Sequence, residues 1–207
     1  MNTVDRNVVI TFNRSLTNRF IQISKIINQT ISSKIVLNIT DQIPHLTLYM
    51  TKYPEKNIEK VLEKIDELAK KTKVFEMEFN SKSCHSSGTV FIDPVMSKDL
   101  YSLHSSLVNI LNPLREGLYN EDELNLPGRG EKAKNSLMNF GMWAVKKDYI
   151  PHVSVGRIEN PQKEAKIALS AIPEEINFKT LVNEISFVER GPNGTCKKIL
   201  KTFPLKG

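Results

Sequence analysis

The sequence predicts an α+β fold of two pseudo-symmetric lobes, each a mainly antiparallel sheet with flanking helices, around a central cleft. Three observations predict it. Strand-like and helix-like segments interleave with hairpin signals over 207 residues, in the order strand, helix, strand, strand, helix, strand, strand, and a comparable series follows. The hexapeptide Ile43-Pro44-His45-Leu46-Thr47-Leu48 returns as Ile150-Pro151-His152-Val153-Ser154-Val155. The two copies lie about half the chain apart, the separation that two similar lobes would give. The expected organisation is a single bilobal domain over 1–207, with an irregular connection or flap at about 115–148.

Asn7 to Phe12 is β-branched and apolar and reads as the first strand. A helix follows, with Ser15 as N-cap and Leu16, Phe20, Ile23, Ile27 and Ile31 as its apolar stripe. Lys34 to Ile39 reads as a short strand, and Asp41-Gln42 as the turn into the first motif strand, Ile43 to Met50. Pro44 cannot donate a ladder hydrogen bond, which puts it at a strand start or an edge. A second helix, Glu55 to Lys71, buries Ile58, Leu62, Ile65 and Leu68 and turns a charged face to solvent. Val74 to Phe79 and Gly88 to Asp93 read as paired strands across a turn at Ser81 to Ser87. A third helix runs from Ser97 to Leu111 and stops at Asn112-Pro113.

Arg115 to Asp148 is the least regular region. A structureless loop of that length is unusual, so it is expected to hold a short helix near Glu131 to Phe140 and a strand near Met142 to Lys146. Leu126-Pro127-Gly128-Arg129-Gly130 lies inside it. It reads either as a flap beside the cleft or as a surface insertion with its aromatics tucked into the core. After the second motif strand, Pro161 opens a fourth helix to Ala171. Strands at Ile176 to Leu181, Asn183 to Glu189 and Lys197 to Phe203 close the chain, with Gly191-Pro192-Asn193-Gly194 as a hairpin turn.

Composition narrows the function classes. With 40% hydrophobic and 25% charged residues the chain reads as globular, and no stretch approaches the ~18 apolar residues of a membrane helix. The N-terminus lacks the apolar run of a signal peptide, so a cytoplasmic protein is expected. Cys84 and Cys196 are the only cysteines and are far apart, which indicates neither a disulfide framework nor a structural zinc site. The net charge of +6 suits an anionic ligand or nucleic acid.

Within each motif the period-two alternation of a strand puts His45 and Thr47 on one face, and His152 and Ser154 on one face. Leu46, Leu48, Val153 and Val155 point the other way, into a core. These paired motifs, His45-Leu46-Thr47-Leu48 and His152-Val153-Ser154-Val155, resemble the signature of the two-histidine phosphoesterase superfamily. That superfamily includes 2′-5′ RNA ligase-like proteins, RNA cyclic phosphodiesterases and 2′-5′ oligoadenylate phosphodiesterases. The resemblance spans nearly the whole chain in element order, but only the two short motifs are specific.

The resemblance implies His45 and His152 as an acid–base pair and Thr47 and Ser154 as phosphate binders; the Ser at 154 is a tolerated form of the motif. Residue chemistry fits that assignment. An in-line phosphodiester displacement needs a proton taken from the attacking oxygen and one given to the leaving oxygen, and imidazoles with a pKa near ~6.5 can do both. The hydroxyls can donate to non-bridging oxygens. No metal or other cofactor is expected. Arg157 stands where related proteins carry a basic phosphate-binding residue. Strict alternation turns it away from His152, so it would need a bulge near Gly156 to reach the ligand. Tyr49 and Tyr149 flank the motifs and are candidates either for stacking a base or for ordinary packing. His85, in a polar turn, and His104, on a helix, read as surface and boundary residues.

The expected partner is a small RNA, oligonucleotide or cyclic nucleotide substrate, with no membrane and no obligate protein partner. The expected activity is a metal-independent phosphodiesterase acting on a 2′,3′-cyclic phosphate, a 2′-5′ linked oligonucleotide or a cyclic oligonucleotide signal; these substrates remain open, as does which histidine is base and which acid. A non-catalytic RNA or nucleotide-binding module on the same fold is the alternative. A metal-dependent hydrolase is disfavoured because no Asp or Glu lies at ligand spacing beside either motif.

Overall fold

The computed structural model describes residues 2–125 and 130–207. Its eight strands are β1 (Thr3–Thr11), β2 (His45–Pro54), β3 (Phe75–Cys84), β4 (Thr89–Pro94), β5 (Val153–Arg157), β6 (Phe178–Val182), β7 (Glu184–Arg190) and β8 (Cys196–Pro204). They form one sheet in the order β6-β3-β4-β5-β2-β1-β7-β8, with every pairing antiparallel. The helices are α1 (Arg14–Thr30), α2 (Ile58–Ala69), α3 (Lys98–Leu111), α4 (Glu131–Phe140) and α5 (Pro161–Ser170). The α+β class is therefore the one the sequence predicts, and none of these helices is long and apolar enough to cross a membrane.

The sheet divides where β5 meets β2. On one side lie β5, β4, β3 and β6, and on the other β2, β1, β7 and β8. Each half contains a strand-helix-strand unit ending in a motif strand: β1-α1-β2 in the first, β4 through α3 to β5 in the second. The helices cross over. α1 packs against β5, and α3 against β2. Leu46, Leu48, Val153 and Val155 are all fully buried on that helical side, each burial stabilising the fold by about 1.5–3 kcal/mol. The opposite face of the sheet is left for the polar motif residues.

Local chemistry explains where the elements begin. Asn13, rather than Ser15, caps α1 by accepting the Leu16 N–H, and Ser97 caps α3 by accepting the Leu100 N–H. The expected strand at Lys34 to Ile39 does not form. Ile35 and Leu37 alternate inward like a strand, at 1% and 2% exposure. Their backbone, however, is satisfied by side chains: Ser24 Oγ accepts from Leu37 N–H and Gln42 Oε1 from Val36 N–H. The β3 strand runs on to Cys84, past the expected end at Phe79, so the turn into β4 shrinks to the residues around His85 and Gly88.

In the connection, α4 forms over the expected residues, but Met142 to Lys146 is not a strand and leads into a 3-10 turn at Lys146–Asp148. Arg115 organises this region. It is 4% exposed and donates to Asn112 Oδ1, the Leu118 carbonyl and the Met138 carbonyl. Further on, Glu123 accepts from Trp143 Nε1 at 2.6 Å and pairs with Arg190 of β7. Residues 126–129 of the Leu126-to-Gly130 stretch lie outside the described residues.

Candidate active site

The motif strands β2 and β5 are neighbours, and their pairing is confined to Leu46 with Val153. The residues flanking that pair are His45 beside Ser154 and Thr47 beside His152. Each imidazole is thus set next to the hydroxyl of the other motif, at the junction of the two halves.

Both imidazoles are oriented in the same way. His45 Nδ1 lies 2.8 Å from the Ile43 carbonyl, and His152 Nδ1 lies 2.8 Å from the Ile150 carbonyl. A carbonyl only accepts, so Nδ1 carries the proton in both rings and Nε2 is the nitrogen that exchanges protons. The Ile-Pro-His sequence builds this contact: proline favours extended backbone at the preceding isoleucine, and the ring bonds back two residues. This lock was legible in the repeated Ile-Pro but is not part of the expectations above.

The two motif strands also share an irregularity. In the β1–β2 pairing Val8 faces Tyr49 and Val9 faces Thr47, so Leu48 is an extra residue. In the β4–β5 pairing Val90 faces Gly156 and Phe91 faces Ser154, so Val155 is extra. Each bulge falls on the third residue after the histidine, and each reverses the alternation beyond it.

That reversal relocates two candidates. Arg157 returns to the face of His152, opposite Thr89, and its Nη1 donates to Asn193 Oδ1 at 3.0 Å. Tyr49, which strict alternation would put beside His45, turns to the core. It is 1% exposed, with its hydroxyl donating to the Phe140 carbonyl at 2.6 Å. Tyr149 is also buried, donates to the Thr47 carbonyl at 2.6 Å and stacks on His104 at 3.7 Å. Neither tyrosine has an open ring face for a base, so the stacking role expected of them is corrected to packing.

Other residues enter the site without having been singled out. Asn7 of β1 is 1% exposed and its Nδ2 donates to Thr47 Oγ1 at 2.9 Å. An amide N–H occupying a lone pair of Thr47 leaves the hydroxyl proton available to donate elsewhere. Phe91 of β4 stacks on His152 with centroids 3.8 Å apart, and His85 lies 6.2 Å beyond it. The turn joining β7 to β8 also reaches the site: Asn193 adopts φ 58 and Gly194 φ 78, and the Gly194 carbonyl faces the His45 ring.

Burial lowers the His45 pKa, opposed by the carbonyls of Ile43 and Gly194. His152 is lowered too, first by burial and then by the neighbouring imidazoles of His45 and His85, with the Ile150 carbonyl opposing. Both rings are consequently neutral at neutral pH until an anion arrives. Burial raises both thiols, that of Cys196 to about 12, so neither is poised as a nucleophile. Among the described residues no three His, Cys, Asp or Glu side chains cluster as metal ligands.

Residues 29–194 match the family described as the 2′-5′ RNA ligase superfamily. No curated protein matches the sequence. The fold is similar to the crystal structure of TT0787 from Thermus thermophilus, at TM-score 0.64 and 16% identity, covering 99% of each chain. It is also similar to E. coli LigT complexed with 3′-AMP (TM-score 0.62, 15% identity) and with ATP (TM-score 0.60, 13% identity), each covering 100% of both chains.

Proposed function

Because the chain belongs to the 2′-5′ RNA ligase superfamily, whose fold goes with phosphodiester chemistry in general, we propose that it is a metal-independent phosphodiesterase cleaving an RNA-derived phosphodiester. The observation that carries this reading is the pair of identically locked imidazoles at the join of the two halves. Two neighbouring imidazoles, each with Nδ1 tied to a carbonyl, suit a reaction that removes one proton and delivers another on opposite sides of phosphorus. In this reading His45 and His152 are the acid–base pair, and Thr47 and Ser154 donate to the non-bridging oxygens. Arg157, brought to the same face, neutralises the phosphate charge.

The substrate is a 2′,3′-cyclic phosphate, a 2′-5′ linked oligonucleotide or a cyclic oligonucleotide. The test is turnover of a panel in excess chelator: adenosine 2′,3′-cyclic phosphate, 2′-5′ and 3′-5′ diadenylate, and cyclic dinucleotides. Cleavage of one class under chelation is the expected result. Activity that disappears with chelator and returns with a divalent ion overturns the metal-independent reading, and binding of these ligands without cleavage of any makes the protein a binding module.

Asn7 gives a finer check on Thr47. Asn7→Leu removes the orienting donor and should lower kcat/KM by about 10-fold, the equivalent of one hydrogen bond. Asn7→Asp should lower it further, by about 100-fold or more, because a carboxylate accepts the Thr47 hydroxyl's hydrogen bond, turning it from the substrate, and repels the substrate anion. Equal kcat/KM for Asn7→Asp and the unmodified protein in steady-state assays would remove Asn7 from the site.

A further inference from the structure

An open groove of about 450 Å³ lies beyond Phe91, between the β3–β4 turn and the start of α5. His85 and Ser86 form one wall, Glu159, Asn160 and Gln162 the other, over Ala165. We propose that this groove is a nucleoside subsite, holding the base and ribose attached to the scissile phosphate on the His152 side. The inference rests on reading the junction of β2 and β5 as a phosphodiester site.

Continuity is the first argument. The rings of His152, Phe91 and His85 follow one another at 3.8 and 6.2 Å, and His85 lines the groove, so this ring series links the groove to the His152 side of the junction. Size is the second, since small-molecule sites enclose roughly 300–1,000 Å³.

The lining chemistry selects the ligand class. Glu159 stands on one wall, paired with Lys34 Nζ at 3.1 Å, and Glu164 holds the Asn160 N–H at 2.8 Å. With that lining carboxylate balanced by a lysine, the amides of Asn160 and Gln162 offer both donors and acceptors to a neutral base edge or ribose. His85 is held differently from the motif histidines: the Ser87 N–H donates to its Nδ1 at 3.2 Å, whereas each motif imidazole donates from Nδ1 to a carbonyl.

The groove walls are fixed to one another. Ile158 N–H donates to the Gly88 carbonyl at 2.9 Å. Gly88 adopts φ 84, and a Cβ there would lie 2.2 Å from the Ile158 carbonyl oxygen, so only glycine lets the turn seat against the β5–α5 loop. A preformed groove loses little freedom on binding.

The test is calorimetric titration with inorganic phosphate, adenosine 2′-phosphate and adenosine 3′-phosphate. Gln162 is exposed, so Gln162→Trp fills the groove without touching the core. In the unmodified protein at least one nucleotide should bind about 10-fold or more tightly than phosphate, and Gln162→Trp should erase that advantage while leaving phosphate affinity within about 2-fold. Gln162→Ala should lose about half of the advantage on a logarithmic scale. The proposal is overturned if no nucleotide outbinds phosphate, or if Gln162→Trp retains the full advantage. A protein that cleaves no diester yet shows the groove-dependent advantage would sink the phosphodiesterase reading and leave the subsite standing.

Discussion

His45→Ala and His152→Ala should each lower phosphodiester turnover by about 10³-fold or more, since each removes one proton-transfer partner from the in-line displacement. The double variant should be little worse than either single one, because a displacement that lacks its acid gains little from keeping its base. KM should change far less than kcat if Thr47, Ser154 and Arg157 hold the phosphate as proposed. The pH profile gives a second reading of the same pair. Burial lowers both imidazoles below their ordinary value, so the form with one ring protonated is most populated on the acid side of about 6.5. The optimum of kcat/KM, which reports the free enzyme, should lie on that side. The optimum of kcat should move back up, because a bound phosphate anion stabilises the imidazolium. Single variants that keep turnover within tenfold of the unmodified enzyme would end the paired-histidine mechanism.

The strengths and gaps of the sequence reading have the same source. The repeated His and hydroxyl positions were legible because alternation along a strand is strict over three residues, and Leu46, Val153 and their neighbours are buried as that alternation demands. Beyond the third residue it fails. The bulges at Leu48 and Val155 turn Tyr49 into the core and bring Arg157 out to the site. One backbone feature thus sends both Tyr49 and Arg157 to the faces opposite those that strict alternation gives. Nothing in the motif spells out a bulge except the glycine at 156, and Leu48 has no such neighbour. The helices were legible from their apolar stripes, though α1 is capped by Asn13 and not by Ser15, whereas Lys34 to Ile39 mimics a strand because burial alternates there without a ladder. Asn7 was hidden because its partner lies 40 residues away and only sheet register brings them together.

His104 shows how a residue outside the motifs holds them, and its substitution should have the largest effect on stability. Fully buried on α3, it donates from Nδ1 to the Leu48 carbonyl at 2.6 Å and accepts from the Lys146 N–H at Nε2, at 2.8 Å. The ring stacks on Tyr149, whose hydroxyl reaches the Thr47 carbonyl. One imidazole thereby ties α3, the connection and the bulged motif strand together. It does so only when neutral, and burial accordingly lowers its pKa to about 4. A histidine depressed in the fold contributes stability that is complete above its unfolded value of about 6.5 and lost as pH falls towards 4, in total about 3 kcal/mol. His104→Phe keeps the volume and the stack but leaves the Leu48 carbonyl and the Lys146 N–H without partners, which should cost about 2–4 kcal/mol at pH 7.5. His104→Ala adds a cavity and should cost about 3–5 kcal/mol. Urea unfolding between pH 7.5 and 4.5 separates the causes. The unmodified protein should lose stability steeply below about 6.5, and His104→Phe should lose it with a slope smaller by one proton, the other histidines still titrating. An unchanged slope in His104→Phe would show that His104 does not titrate with unfolding and would return it to the role of ordinary packing.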